Sequence, residues 1–356
     1  MRERSWLRFL CPALVFFGAP ALLVFLADPF FHYHEPWFGL AVVEEEKEYQ
    51  VPGMLRNFAY DNVLAGSSVV MSMNTETLDE RFGGRTVKAV GGSASAPLLA
   101  FYLQTAFEEH ELSRVFYGVD VFSFYNDPDM SVISEDVAYL VNKNPFDDVE
   151  YLWNMDVLAE KIPRMIEMSR EEPCEGLLYQ INRGSPLGPE EVLKMHCPGA
   201  GMLEEKKPAD YMGAHVQENL NRLEALVAAH PKTQFLFFIP PYNIVWWDDA
   251  YEKGLLDAYL HTLDVCMSRL LPYENVRFYA TDFNEAGTIT DMYQYMDYIH
   301  GGPAVTDRMA EQIGTAEQEI TPENKDAELQ KLSDTFYRFR ERVEAEGYGF
   351  VYETVN

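Results

Sequence analysis

The chain has 356 residues, 47% of them hydrophobic and 14% aromatic, enough to bury one large α/β core with a sizeable insertion. A formal charge of −29 excludes a nucleic-acid binder, which needs a basic footprint, and argues against a strongly anionic substrate because like charge slows encounter. Neutral glycans or small esters fit that charge better.

The first element is apolar. Arg2, Arg4 and Arg8 precede residues 9–27, which hold no charge, and Asp28, Glu35 and Glu44 to Glu46 follow them. At about 1.5 Å per residue such a helix reaches roughly 28 Å, near the hydrocarbon thickness of a bilayer. The basic flank then predicts a transmembrane anchor over 1–27 with its N-terminus cytoplasmic and the rest extracytoplasmic. Secretion after signal cleavage is the alternative, although the small-x-small site Ala19-Pro20-Ala21 lies inside the apolar run. Residues 28–57 read as a juxtamembrane segment.

Beyond it, apolar runs at 62–67, 86–91, 114–120, 234–242 and 276–282 read as buried strands. Helical patterns occupy 69–82, 97–110, 211–229 and 250–270. This alternation predicts an α/β domain over 58–315, a three-layer α/β/α sandwich around a parallel sheet of about five strands. Residues 128–210 break the rhythm with a helix pair and two loop-rich stretches, and read as an insertion forming a cap or side wall. In 316–356, Leu329, Leu332, Phe336, Phe339 and Val343 recur at helical spacing, an amphipathic helix expected to pack onto its own domain. Cys174 and Cys197 bracket one loop-rich stretch and would pair in an oxidising compartment, while unpaired thiols are the equal alternative.

In a parallel sheet, functional groups gather outside the carboxyl ends of the strands. The first run ends in Gly66-Ser67-Ser68, the second in Gly91-Gly92-Ser93 and the third in Gly118-Val119-Asp120. The fourth ends in Pro240-Pro241-Tyr242-Asn243, and Asp297 and His300 stand three apart after the fifth. This ordering resembles the SGNH (GDSL-like) hydrolase superfamily across roughly residues 58–315. The resemblance implies a flavodoxin-like sheet with Ser68 as nucleophile, His300 as base and Asp297 as its orienter. It also implies a glycine N–H donor at Gly92, or less directly Gly91, for the oxyanion. Membrane-anchored members of that superfamily act with polysaccharide O-acyltransferases, which makes an acylated glycan or wall polymer the implied substrate and an integral-membrane acyltransferase the implied partner.

The third block departs from the family, which usually carries Gly-x-Asn-Asp there. An ionised Asp120 only accepts hydrogen bonds and would repel an oxyanion. Losing one such donor costs about 2.7–4 kcal/mol in other serine enzymes. Either Asp120 is protonated in a buried site, or it orients a neighbouring loop, or Asn126 or Asn243 supplies the missing donor. The loop role is the favoured one, and some membrane-anchored relatives in the superfamily share a Gly-x-Asp at this block. Tyr242, Trp246 and Trp247, with Phe122, Phe124 and Tyr125, follow two of the strands and would suit stacking on sugar rings, although core packing is the commoner use of such residues. No metal or organic cofactor is implied: His32, His34 and His196 beside Cys197 lack the spacing of a zinc site. Two function classes result, an extracytoplasmic serine esterase or O-acyltransferase, and a non-catalytic scaffold of an envelope complex. A dinucleotide-binding fold is excluded, since "GGSASA" after the second run is no G-x-G-x-x-G fingerprint.

Overall fold

The structure is a computed structural model that describes residues 7–142, 144–170, 184–196 and 203–352, with side chains from Val15 onward. Cys174 and Cys197 lie outside the described residues. Contacts divide the chain into two units, residues 1–59 with 131–177, and residues 60–130 with 178–356. The 128–210 stretch read as one insertion is thus shared between them.

In the first unit, α1 (Leu7–Ala27) leads into α2 (Lys47–Asn57). The joint is the carboxylate of Asp28, fully buried and at a left-handed φ of 43°. It accepts the backbone N–H groups of His32, Tyr33 and His34 at 3.0, 2.7 and 2.9 Å, and the Tyr151 hydroxyl at 2.8 Å. Burial pushes its pKa up against those hydrogen bonds. Val24, Ala27 and Phe30 pack there with Tyr139, Leu140, Tyr151 and Ile162 in one apolar cluster. Among the described residues no helix is long and apolar enough to cross a membrane.

The second unit is built on a six-stranded sheet of order β2-β1-β3-β4-β5-β6. β1 (Asn62–Gly66), β2 (Thr86–Val90), β3 (Arg114–Gly118), β4 (Gln234–Phe238) and β5 (Val276–Tyr279) are parallel. Their continuous apolar runs suit a sheet flanked by helices, and Val63, Leu64, Phe116, Phe235 and Phe237 are fully buried. β6 (Glu319–Ile320) adds an antiparallel edge that two residues could not announce in sequence.

The helices differ from the sequence pattern at two places. The 69–82 stretch is a single 3₁₀ turn, Ser68–Val70, followed by α3 (Thr75–Phe82), which Asn74 caps by accepting Glu76 N–H at 3.0 Å. The 250–270 stretch is two helices, Ile244–Glu252 and Leu256–Leu270, parted at Gly254 with φ +69°; a Cβ there would lie 2.5 Å from the Glu205 carbonyl oxygen. α4 (Ala96–Glu109) and the helix Gly213–Ala229 agree with the expected spans to within two residues. The C-terminal helix Lys325–Glu346 buries Leu332, Phe336 and Phe339 and packs on Ile244–Glu252 and Leu256–Leu270, within its own unit.

Strand order reverses between β1 and β3, and that switch point is where an open α/β sheet leaves a crevice. Here both strands end in glycine. A Cβ on Gly66 would lie 2.6 Å from Val70 Cγ2, and one on Gly118 would lie 2.7 Å from Val70 Cγ1. Fully buried Val70 therefore fills the space that the two absent side chains leave, and it fixes the turn that begins at Ser68. Gly118→Ala is expected to cost about 1–3 kcal/mol of unfolding free energy through overpacking. Chemical denaturation of the Gly118→Ala, Val70→Ala and double variants checks this. The account predicts that Val70→Ala relieves much of the Gly118→Ala cost, whereas strictly additive losses would contradict it.

Candidate active site

Ser68 stands at the end of the β1 turn, partly exposed, while its neighbour Ser67 is fully buried. Ser67 caps the turn by accepting the Val69 N–H at 3.3 Å. Lys88, buried on β2, donates to the Met71 carbonyl at 2.9 Å and holds the turn from the other side. Asp297 and His300 come from a loop closed by the antiparallel bridge Tyr295–Gly301, with Met296 N–H donating to the His300 carbonyl at 3.0 Å. Fully buried Tyr295 ties this loop to the end of β4 by donating its hydroxyl to the Pro241 carbonyl at 2.9 Å.

These two turns bring three side chains into one chain of hydrogen bonds. His300 Nε2 lies 2.8 Å from Ser68 Oγ, and His300 Nδ1 lies 2.8 Å from Asp297 Oδ2. Asp297 Oδ1 accepts the backbone N–H groups of Ile299 and His300, each at 2.7 Å. Burial works against charge on Asp297, but the His300 contacts and those two amides outweigh it and hold the carboxyl below its usual pKa. An ionised Asp297 fixes the His300 tautomer with Nδ1 protonated, which leaves Nε2 free to accept the serine proton.

An open cavity of about 360 Å³ lies over the triad, lined by Ser68, Met71, Ser185, Pro186, Glu191, Met296, Asp297 and His300. A cavity of similar volume lies between residues 286–293 and the C-terminal helix, and among its described lining residues there is no serine–histidine pair. Ser185, Pro186 and Glu191 come from a stretch whose composition signals only a loop. Nothing in its sequence marks them as site residues.

The expected oxyanion residues are not part of that lining. Strand register sets Gly92 beyond β2 and Asp120 beyond β3, on either side of Ser68. Gly92 is exposed with open space where a Cβ would stand, and its N–H makes no hydrogen bond among the described residues. Asn126 spends its amide on the Phe122 and Ser123 carbonyls at 3.3 and 3.2 Å, so it is not a donor to the site. Asn243 caps the helix Ile244–Glu252 through Oδ1, at 3.0 Å from Val245 N, while its buried Nδ2 has no partner.

Asp120 is 1% exposed. Its side chain makes no cap to its own turn; Oδ1 accepts the Tyr242 hydroxyl, so the loop it holds is the one after β4. The Ser67 amide and hydroxyl lie close enough to favour its ionised form, yet neither reaches Oδ2 in hydrogen-bonding geometry, and that oxygen stays unpartnered. Burial dominates and pushes the Asp120 pKa up to about 7, against the Ser67 and His300 contacts that lower it. Of the aromatic side chains expected here, Tyr242, Trp246, Trp247 and Phe124 are buried and offer no sugar-stacking face, Tyr242, Trp246 and Tyr259 stacking among themselves, while Phe122 and Tyr125 are half-buried.

Among the described residues, His196, Asp248 and Glu252 have metal-ligand spacing, their ligand atoms lying within 4.8 Å of one another. Arg340 already donates to Asp248 at 2.9 Å and to Glu252 at 3.2 Å, so a guanidinium supplies the positive charge an ion would bring. The chain matches no known family model, and no curated protein is detectably similar to it.

The raised pKa of Asp120 has a definite sign. Its neutral form stabilises the fold fully below the ordinary carboxylate value of 3.8, and that contribution is lost as pH rises through about 7. The full effect is of order 4 kcal/mol. Asp120→Asn removes the ionisation, so its unfolding free energy should exceed that of the wild type at pH 8 by more than at pH 4. Denaturant titrations at both values measure this, and an equal difference at both would show that Asp120 does not titrate in the fold.

Proposed function

We propose that this chain is a serine esterase or O-acyltransferase that carries an acyl group on Ser68. The observation that supports it best is the unbroken chain Ser68 Oγ, His300 Nε2, His300 Nδ1, Asp297 Oδ2, with both links at 2.8 Å. His300 takes the Ser68 proton as the hydroxyl attacks an ester carbonyl and returns it to the leaving alcohol, and Asp297 stabilises the imidazolium between those steps. Water as second acceptor completes hydrolysis, and a sugar hydroxyl completes transfer. Ser68 N–H and Gly92 N–H are the donors proposed for the oxyanion.

The motif order supports the SGNH superfamily as its family, and the strand order 2-1-3-4-5 supports the flavodoxin-like arrangement that goes with it. Membrane attachment through the N-terminal helix is part of the proposal. Val15, Phe16, Phe17, Leu22, Leu23 and Phe25 stay exposed along α1, an apolar face that water disfavours. The same reading puts the bulk of the chain outside the cytoplasm, with an acylated surface glycan or wall polymer as substrate and an integral-membrane acyltransferase as partner. One observation favours the second reading, a scaffold without chemistry: an ionised Asp120 beside Ser67 would oppose an oxyanion.

Fluorophosphonate labelling with peptide mapping separates them. The enzyme reading predicts label on Ser68 that disappears in Ser68→Ala and His300→Ala. Asp297→Asn should lower ester turnover on the order of 10⁴-fold, the size found when a triad carboxylate becomes an amide. A folded protein that takes no label is the scaffold.

A further inference from the structure

The cavity over Ser68 has one charge that the triad does not use. Asp297 is committed to His300, and the imidazolium that forms during acyl transfer is balanced by Asp297 itself. Among the described residues Glu191 is the remaining ionisable residue of the lining, and none of those lining residues is a lysine or arginine. Among the described residues its basic partner is Lys194, 3.3 Å from Oε2; that side chain is 72% exposed, so water screens the pair.

Glu191 is also held in place. It lies on the short helix Pro189–Met195, which begins where Gly188 N–H donates to the Tyr295 carbonyl at 3.1 Å, beside the loop that carries Asp297 and His300. Leu187 packs so closely on this loop that a Cβ on Gly302 would meet it at 2.9 Å. At the far end of the helix, buried His196 meets the Tyr348 hydroxyl at 3.1 Å, and Tyr348 and Arg340 both donate to the fully buried Asp248. Burial would push the Asp248 pKa up, but the contacts of His196, Tyr348 and Arg340 outweigh it and keep the carboxylate charged. The helix is thus fixed at both ends, which sets the place on the cavity wall from which Glu191 extends, as selection between substrates requires.

We propose that Glu191 is a specificity-determining residue, selecting esters that bear a protonated amine or quaternary ammonium near the reacting carbonyl and turning away anionic ones. This rests on the esterase reading above and names the substrate class of the same site. The overall charge of −29 acts in the same direction at longer range but is screened beyond about 8 Å at physiological salt, so discrimination between close analogues falls to the local carboxylate.

The test uses the full chain and two aryl acetates that differ in one meta substituent, a trimethylammonium or a carboxylate, with phenyl acetate as the neutral reference. In the wild type the cationic ester should have the higher kcat/KM. The cation-to-anion ratio should fall roughly tenfold in Glu191→Gln, the scale of one partly screened charge, and should invert in Glu191→Lys. The gain on the anionic ester in the lysine variant is an effect that a purely structural role would not produce. Equal ratios in all three proteins, with phenyl acetate still turned over, would overturn the proposal and leave the esterase reading intact. Turnover of none of the esters by a folded wild type would remove the esterase reading, and this proposal with it.

Discussion

Val70 can lie against the sheet because β1 and β3 both end in glycine, and Cβ atoms on Gly66 and Gly118 would approach its two methyl groups to 2.6 and 2.7 Å. That contact sets the level of the 3₁₀ turn above the sheet, and Lys88 at the Met71 carbonyl stops the turn from rolling away. Ser68 then stands at the topological switch point with its hydroxyl directed to the loop that carries His300. No long-range coincidence is needed for the other two members. One bridged turn presents Asp297 and His300 together, and Tyr295 fixes that turn to the end of β4.

Much of this was legible because its signals are local. Five buried strands announced themselves as short apolar runs, and the Gly-Ser-Ser and Asp-x-x-His blocks each lie within one turn. The geometry joins Ser68, His300 and Asp297 in the order the sequence suggested. What escaped was set by tertiary contact. Glu191 and Ser185 reach the cavity only because Gly188 docks on Tyr295, a pairing that spans more than a hundred residues and leaves no period in the sequence. For Tyr242, which follows a strand in an aromatic stretch, the sequence left a sugar platform open beside the commoner core packing. Its hydroxyl donates to Asp120 Oδ1, and its ring is part of the core. The break at Gly254 was hidden for a similar reason, since the positive φ and the approach of Glu205 that demand a glycine there are set by the fold.

Asp120 is where stability and chemistry pull against each other. A buried carboxyl with one unpartnered oxygen costs folding free energy when it ionises. The neutral acid avoids that cost and lacks the negative charge that the ionised form brings beside Ser67. With a pKa near 7 the two forms exchange in the range where an imidazole base operates. The residue that most weakens the resemblance on paper is thus one whose burial favours its neutral form. The Asn243 amide, buried and unpartnered after the neighbouring strand, is a second incompletely satisfied polar group near this crevice.

The claim on which the account depends is that Ser68 forms a covalent ester. Rapid quenching of the full chain with an aryl acetate, followed by peptide mass analysis, measures it directly. The account predicts one acetyl group on the peptide containing Ser68, formed before steady-state release of alcohol and absent when His300 is alanine. Release of the aryl alcohol with no acetylated Ser68 at any time point would contradict it, because the hydrolysis would then proceed without the serine.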